Sequence, residues 1–223
     1  MECSLEDRGV RAYANLLPEI EVGELLGEGK RSHVYQAQFE GQDAVLKLYK
    51  KKYADKYRER YGVCIAEFEF KRNQSFYEHP HLRRYTVKPL AVFPGDGTNQ
   101  SAFIQGLAPG RPMLEVMAEL GFLPEETFQA GLDLVAHARR AGIHDLDIND
   151  GNVNVHKTDE GWLPVIYDFN IMPQYLFPTN PFIALGFKLK LKDRSYRDLR
   201  SVRGWRMRGL EIEKENKQRS IRS

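Results

Sequence analysis

Cysteine is scarce. The chain has two, Cys3 and Cys64, and they form no C-x-x-C pair. That excludes a disulfide framework and a cysteine-built zinc site, and it fits a reducing compartment. Long apolar runs are missing as well. No stretch approaches the roughly 20 residues of a membrane-spanning helix, so an integral membrane protein is not expected. The opening MECSLEDRGVRAY has no basic segment followed by an apolar one, so no secretory signal is expected. There is no internal repeat and no low-complexity tract. These absences lead to the expectation of a cytoplasmic protein. What remains is globular in composition: 223 residues, 42% hydrophobic and 29% charged, enough for one large domain or two small lobes.

The net charge of +2 is unevenly spread. From Phe187 to Ser223 there are 13 Lys and Arg against 5 Asp and Glu, a local +8, which leaves the body at −6. Arg194, Arg197, Arg200, Arg203 and Arg206 recur every third residue, so on a helix they form a basic stripe, with Leu199, Val202 and Trp205 on a neighbouring face. Such a segment suits an anionic membrane surface or a phosphorylated glycolipid. It equally suits a last helix whose apolar side is buried and whose arginines are wet. No aromatic-interleaved platform supports nucleic acid, so none is expected as a partner.

Along the chain, Glu19–Val22, Val34–Phe39 and Ala44–Tyr49 read as three strands of an antiparallel meander, turning at Glu40-Gly41-Gln42-Asp43. Residues 55–78 read as one helix stopped by His79-Pro80. Two strands follow, Thr86–Phe93 and Ser101–Gln105, split by the loop Pro94-Gly95-Asp96-Gly97. Ala108–Pro112 reads as a linker. Met113–Leu120 and Glu125–Ala141 read as helices, and Val153–His156 with Val165–Tyr167 as a hairpin around Asp159-Glu160-Gly161. The pattern is α+β in two lobes joined near Gly106–Pro112.

Three clusters carry chemistry. Gly27-Glu28-Gly29-Lys30-Arg31-Ser32-His33-Val34 lies between two strands, which excludes a dinucleotide-binding fingerprint because no helix N-terminus follows. A glycine hairpin can instead fold over a polyphosphate, since backbone N–H groups approach oxygens without a Cβ in the way; a plain β-turn explains it too. Lys47 sits in Ala44-Val45-Leu46-Lys47, where burial demands a partner. Glu67 and Glu69 lie 20 and 22 positions on, and Glu69 falls beside the Ile65/Arg72/Phe76 stripe. A surface lysine at a sheet edge is the alternative. The third cluster, 143–155, is followed by Asp168-Phe169-Asn170. It gathers Asp145, Asp147, Asp150 and Asp168 with several amides, hard oxygen donors suited to Mg²⁺, plus a spare carboxylate to accept a proton. A calcium loop nearly fits, but its glycine is one position late and no closing glutamate follows. A plain acidic turn also fits.

In order and spacing these clusters resemble the protein-kinase-like superfamily over Glu19–Asn170. The resemblance implies a bilobal protein-kinase-like α+β fold, with an antiparallel-sheet N-lobe carrying one helix (19–106) and a reduced, mostly helical C-lobe (107–178). An extension (1–18) precedes them and a basic amphipathic segment (179–223) follows. It implies that Gly27, Gly29, Ser32 and Val34 form the loop over ATP, that Lys47 holds its α- and β-phosphates with Glu69 as ion-pair partner, and that the backbone at Gln105 and Leu107 meets adenine. Asp147-Ile148-Asn149-Asp150-Gly151-Asn152 resembles the D-L-H-P-G-N form of lipopolysaccharide core sugar kinases, with Asp147 as base and Asn152 as Mg²⁺ ligand. The other register makes Asp145 the base but puts Asp150 where Asn belongs. Where the family has His, this chain has Asp145, with His144 displaced by one. Asp168-Phe169-Asn170 resembles D-F-G, with Asp168 binding metal and Asn170 tolerated in Gly's place for its left-handed backbone. No A-P-E follows, and 53 residues remain after Asn170, too few for a peptide-docking half. The implied activity is ATP- and Mg²⁺-dependent phosphoryl transfer to a hydroxyl, on a lipid-linked sugar or, alternatively, on protein Ser/Thr; a non-catalytic nucleotide-binding module is the remaining alternative. Peripheral contact with an anionic membrane, at its inner face, is expected through 182–208.

Overall fold

A computed structural model describes residues 19–95 and 100–222. The expected extension over 1–18, Cys3 and the Asp96-Gly97 part of the loop lie outside the described residues. The chain divides into two compact units: one runs to Ser75 and adds Lys88–Leu107, and the other holds Phe76–Val87 and everything from Ala108.

The first unit is built on a five-stranded antiparallel sheet in the order β1-β2-β3-β5-β4. Its strands are β1 (Ile20–Glu28), β2 (Ser32–Phe39), β3 (Gln42–Tyr49), β4 (Pro89–Phe93) and β5 (Ala102–Gly106). Glu40 and Gly41, both with positive φ (51° and 74°), close the β2–β3 hairpin in two residues, the twist-matched solution. Alternation then sorts the side chains. Tyr35, Ala37, Phe39, Ala44, Leu46, Leu48, Ala102 and Ile104 bury together on one face. The alternate positions of β3, Val45, Lys47 and Tyr49, are also buried, so this strand is covered on both sides.

Where the sequence reads as a single helix, the structure has two, α1 (Lys51–Tyr61) and α2 (Ile65–Glu78). Gly62 ends α1 in a left-handed C-cap, its N–H donating to the Arg58 carbonyl, and so breaks the periodic stretch. The expected one-helix lobe is corrected accordingly. The strand expected from Thr86 begins at Pro89, because Arg83–Tyr85 is a 3₁₀ turn and Thr86 instead bridges Ile166.

The second unit holds a three-stranded antiparallel sheet, β6 (Arg111–Pro112), β7 (Val153–Thr158) and β8 (Gly161–Ile166), with helices α3 (Met113–Leu120), α4 (Glu125–Arg140), α5 (Pro181–Lys188) and α6 (Tyr196–Arg222). Part of the expected linker is thus a strand: Arg111 and Pro112 pair with Val155 and Asn154. On α4, Phe128, Gly131, Leu134, Val135 and Ala138 repeat at helical spacing and are buried. Gly131 is required there, since a Cβ would lie 2.4 Å from the Trp205 ring. Val202 and Trp205 of α6 are fully buried in this core. Val202 and Trp205 of the expected apolar stripe are therefore inside the unit, and Arg200, Arg203 and Arg206 face solvent. Among the described residues, no helix is long and apolar enough to cross a membrane.

Candidate functional site

In the first unit, the glycine hairpin joins β1 to β2. Gly29 N–H donates to the Ser32 carbonyl at 2.8 Å, which closes the turn. A Cβ at Gly27 would meet nothing within 4 Å, so the space above this backbone is open. Glu28 bonds Lys50 and lies 3.4 Å from the His33 ring, and these neighbours, Lys50 first, hold its carboxyl below the usual carboxylate range. Val34 is half-buried and lies opposite Lys47 in the β2–β3 register.

Lys47 points to the side of the sheet that α2 covers. Its Nζ is 2.5 Å from Oε1 of Glu69, and the side chains are only 6% and 2% exposed. The other carboxylate oxygen of Glu69 accepts from the Tyr49 hydroxyl. Glu69, not Glu67, is thus the residue that meets Lys47. A pair this dry costs more desolvation than most ion pairs return, so its presence is unexplained by stability alone. Further along the same face, Asn73 Nδ2 donates to the Gln105 amide oxygen at 3.2 Å. At the end of β5, the Gly106 N–H donates to the Lys88 carbonyl (2.8 Å) and the Leu107 N–H to that of Asp43 (3.3 Å).

In the second unit, Leu146 and Ile148 are fully buried and anchor the loop 144–152, while Asp147 between them is half-exposed. Asp145 and Asp147 both have positive φ (57° and 67°), a conformation that costs non-glycine residues roughly 1–2 kcal/mol each. Several bonds impose it. Asp198, in the first turn of α6, accepts from the N–H groups of Asp145 (2.8 Å) and Leu146 (2.7 Å). The Trp205 indole donates to the Ile148 carbonyl (3.0 Å) and Asn152 Nδ2 to the Asp147 carbonyl (3.0 Å). That last bond commits the nitrogen of Asn152 and leaves its oxygen as the donor atom available for a metal.

The two carboxylates of the loop differ. Asp145 is 2% exposed, and its oxygens accept from Gln174 N–H (2.6 Å) and Arg197 (2.9 Å), so it is tied into the structure. Asp147 is half-exposed, and its Oδ1 accepts a long bond, 3.3 Å, from Asn149 Nδ2. His144 bonds the Ser195 hydroxyl at 2.7 Å.

Asp168 is half-buried at the end of the hairpin. Phe169 is buried with its ring edge-on to Phe76 at 5.3 Å. Asn170 does not use a left-handed backbone; its Oδ1 accepts from Met172 N–H at 2.9 Å instead, so the reason for expecting tolerance there is corrected. Among the described residues, no three His, Cys, Asp or Glu gather as a metal cage. Asn152 and Asp168 offer one amide and one carboxylate oxygen, hard donors of the kind Mg²⁺ takes.

Asp198, Arg197 and Gln174 have no signal near the loop in sequence. They lie between 29 and 53 positions beyond the groups they hold, and the acid in the first turn of α6 reads as an ordinary helix start. No protein-family model matches the chain, and a search of curated proteins returns no match.

Proposed function

We propose that the chain is an ATP- and Mg²⁺-dependent phosphotransferase of the protein-kinase-like kind, acting on a hydroxyl acceptor. The observation that carries this is the buried Lys47–Glu69 pair. It holds an ammonium ready at a fixed position in a rigid sheet, as a group that neutralises phosphate oxygens must be held. The open backbone at Gly27 and the Gly29–Ser32 turn give the phosphates room beside it.

Asp147 is the acceptor-side group. Its half-exposed carboxylate takes the proton from the attacking hydroxyl at a carboxylate oxygen and orients that hydroxyl. The burial of Asp145 and its bonds to Arg197 and Gln174 argue for Asp147 in this role. Asn152 and Asp168 would hold Mg²⁺, which when bound spreads the charge on the transferring phosphoryl oxygens. Gln105 and Leu107 mark the stretch that meets adenine. The acceptor is a sugar hydroxyl of a lipopolysaccharide-type glycolipid, a choice that rests on the likeness of Asp147–Asn152 to the D-L-H-P-G-N loop.

The test is Mg-ATP binding, read by thermal shift and calorimetry on wild type and Lys47→Ala. Wild type should be stabilised and bind, and Lys47→Ala should bind at least tenfold more weakly. Absence of binding by wild type would overturn the proposal.

A further inference from the structure

The segment Pro181–Arg194 is unlike the rest of the second unit. Helix α5 is well specified, with Asn180 capping the Ile183 N–H at 2.9 Å and Pro181 at its first position, yet none of its residues is buried. An apolar helix normally buries a face. Here Phe182 is 84% exposed and Leu185, Leu189 and Leu191 are exposed as well. The turn that follows is just as well defined. Leu191 and Lys192 N–H groups both donate to the Gly186 carbonyl, and Lys190 is held at a φ of 56°. The backbone therefore fixes Leu189 and Leu191 outward.

Lysines are interleaved with these apolar side chains: Lys188 and Lys190 are exposed, as is Arg194. Lys192 lies over the Tyr196 ring, 4.1 Å from its centre. The one acid of the segment, Asp193, is taken by Arg139 (2.7 Å) and by the Ser195 N–H. The stretch is thus apolar and cationic on the same exposed surface.

We infer that Pro181–Arg194 is a membrane-surface element that seats Phe182, Leu185, Leu189 and Leu191 in an anionic bilayer. Apolar tips reach the acyl boundary while lysine stems snorkel to the phosphates. Its positive charge opposes packing against a second copy of itself and complements anionic headgroups. The apolar side of α6 is not part of this surface, because Val202 and Trp205 are in the core. The inference is independent of the phosphotransferase proposal, and its test reads membrane partition, not activity.

The full chain is sedimented with vesicles of phosphatidylcholine alone and of phosphatidylcholine mixed with phosphatidylglycerol. Partition into the anionic vesicles should exceed that into the neutral ones by about tenfold or more, and should fall as salt rises. Phe182→Ser with Leu191→Ser, and separately Lys188→Glu with Lys190→Glu, should each reduce it about tenfold with unchanged circular dichroism and melting. Failure of wild type to partition overturns the inference. So does full partition by the Phe182→Ser/Leu191→Ser protein, which would assign binding to the exposed arginines of α6. A dimer in sedimentation velocity that the same pair of substitutions abolishes would assign the surface to a second copy.

Discussion

Replacing Lys47 by Met separates what the buried pair does for folding from what it does for chemistry. The substitution leaves the Glu69 carboxylate, whose side chain is 2% exposed and which accepts from the Tyr49 hydroxyl, without its cation. Removing one member of so dry a pair costs about 3–5 kcal/mol. For a chain of this size that lowers the melting temperature by about 6–20 °C. Combining Lys47→Met with Glu69→Gln removes the stranded charge, and the new amide still offers an oxygen to Tyr49. The double variant should recover most of the lost stability, and by the general behaviour of buried pairs could equal wild type. Both variants should nevertheless fail to transfer phosphate. Urea and thermal unfolding measure the first effect, and phosphate release from labelled ATP the second. The reasoning is refuted if the double variant is as unstable as Lys47→Met, or if it remains as active as wild type.

Three further outcomes are expected. Gly131→Ala should destabilise the second unit by about 1–3 kcal/mol in urea unfolding, because the added methyl lands 2.4 Å from the Trp205 ring. Asp198→Ala should cost roughly 2–5 kcal/mol by the same measurement, since it strips the acceptor from the N–H groups of Asp145 and Leu146, and Mg-ATP binding should be less affected than transfer. Burial, with Arg140, His81 and His79 adding to it, holds His137 below the ordinary imidazole range. The unfolded chain therefore binds the proton more readily, so this contribution to stability is present above about pH 6.5 and is lost as the pH falls below it. His137→Gln should flatten that dependence in melting curves taken across the range, and an unchanged curve would count against it.

Much of the fold is legible in the sequence where one local rule decides. The alternation of Val34–Phe39 and the Glu40-Gly41 turn specify the β2–β3 hairpin, because side-chain period and turn chemistry agree. Glu69 is legible as the partner of Lys47 because it shares a helical stripe with Ile65 and Phe76. The break at Gly62 is hidden, since a glycine inside a charged periodic stretch is compatible with either a continuous helix or a C-cap. The Arg111-Pro112 strand is hidden because two residues between a glycine and a helix carry no period. Asp198 and Arg197 are hidden for a different reason: their role depends on which backbone groups α6 reaches 52 or 53 residues away, and no local pattern encodes that distance. The tail shows the same limit. Its Leu199/Val202/Trp205 stripe reads equally as a membrane face or a core face, and only the fit of Trp205 against Gly131 decides for the core.

The most direct test of the central claim is transfer of labelled γ-phosphate from Mg-ATP to membrane glycolipid and, in parallel, to protein extract, by wild type, Asp147→Asn and Asp145→Asn. Labelling of glycolipid by wild type is predicted, with a loss of about a hundredfold or more in Asp147→Asn while Mg-ATP binding is kept. Asp145→Asn should lose stability along with activity, because it weakens the Arg197 and Gln174 bonds. Undiminished transfer by a folded Asp147→Asn protein, or ATP binding with no transfer to either acceptor by wild type, would contradict the account.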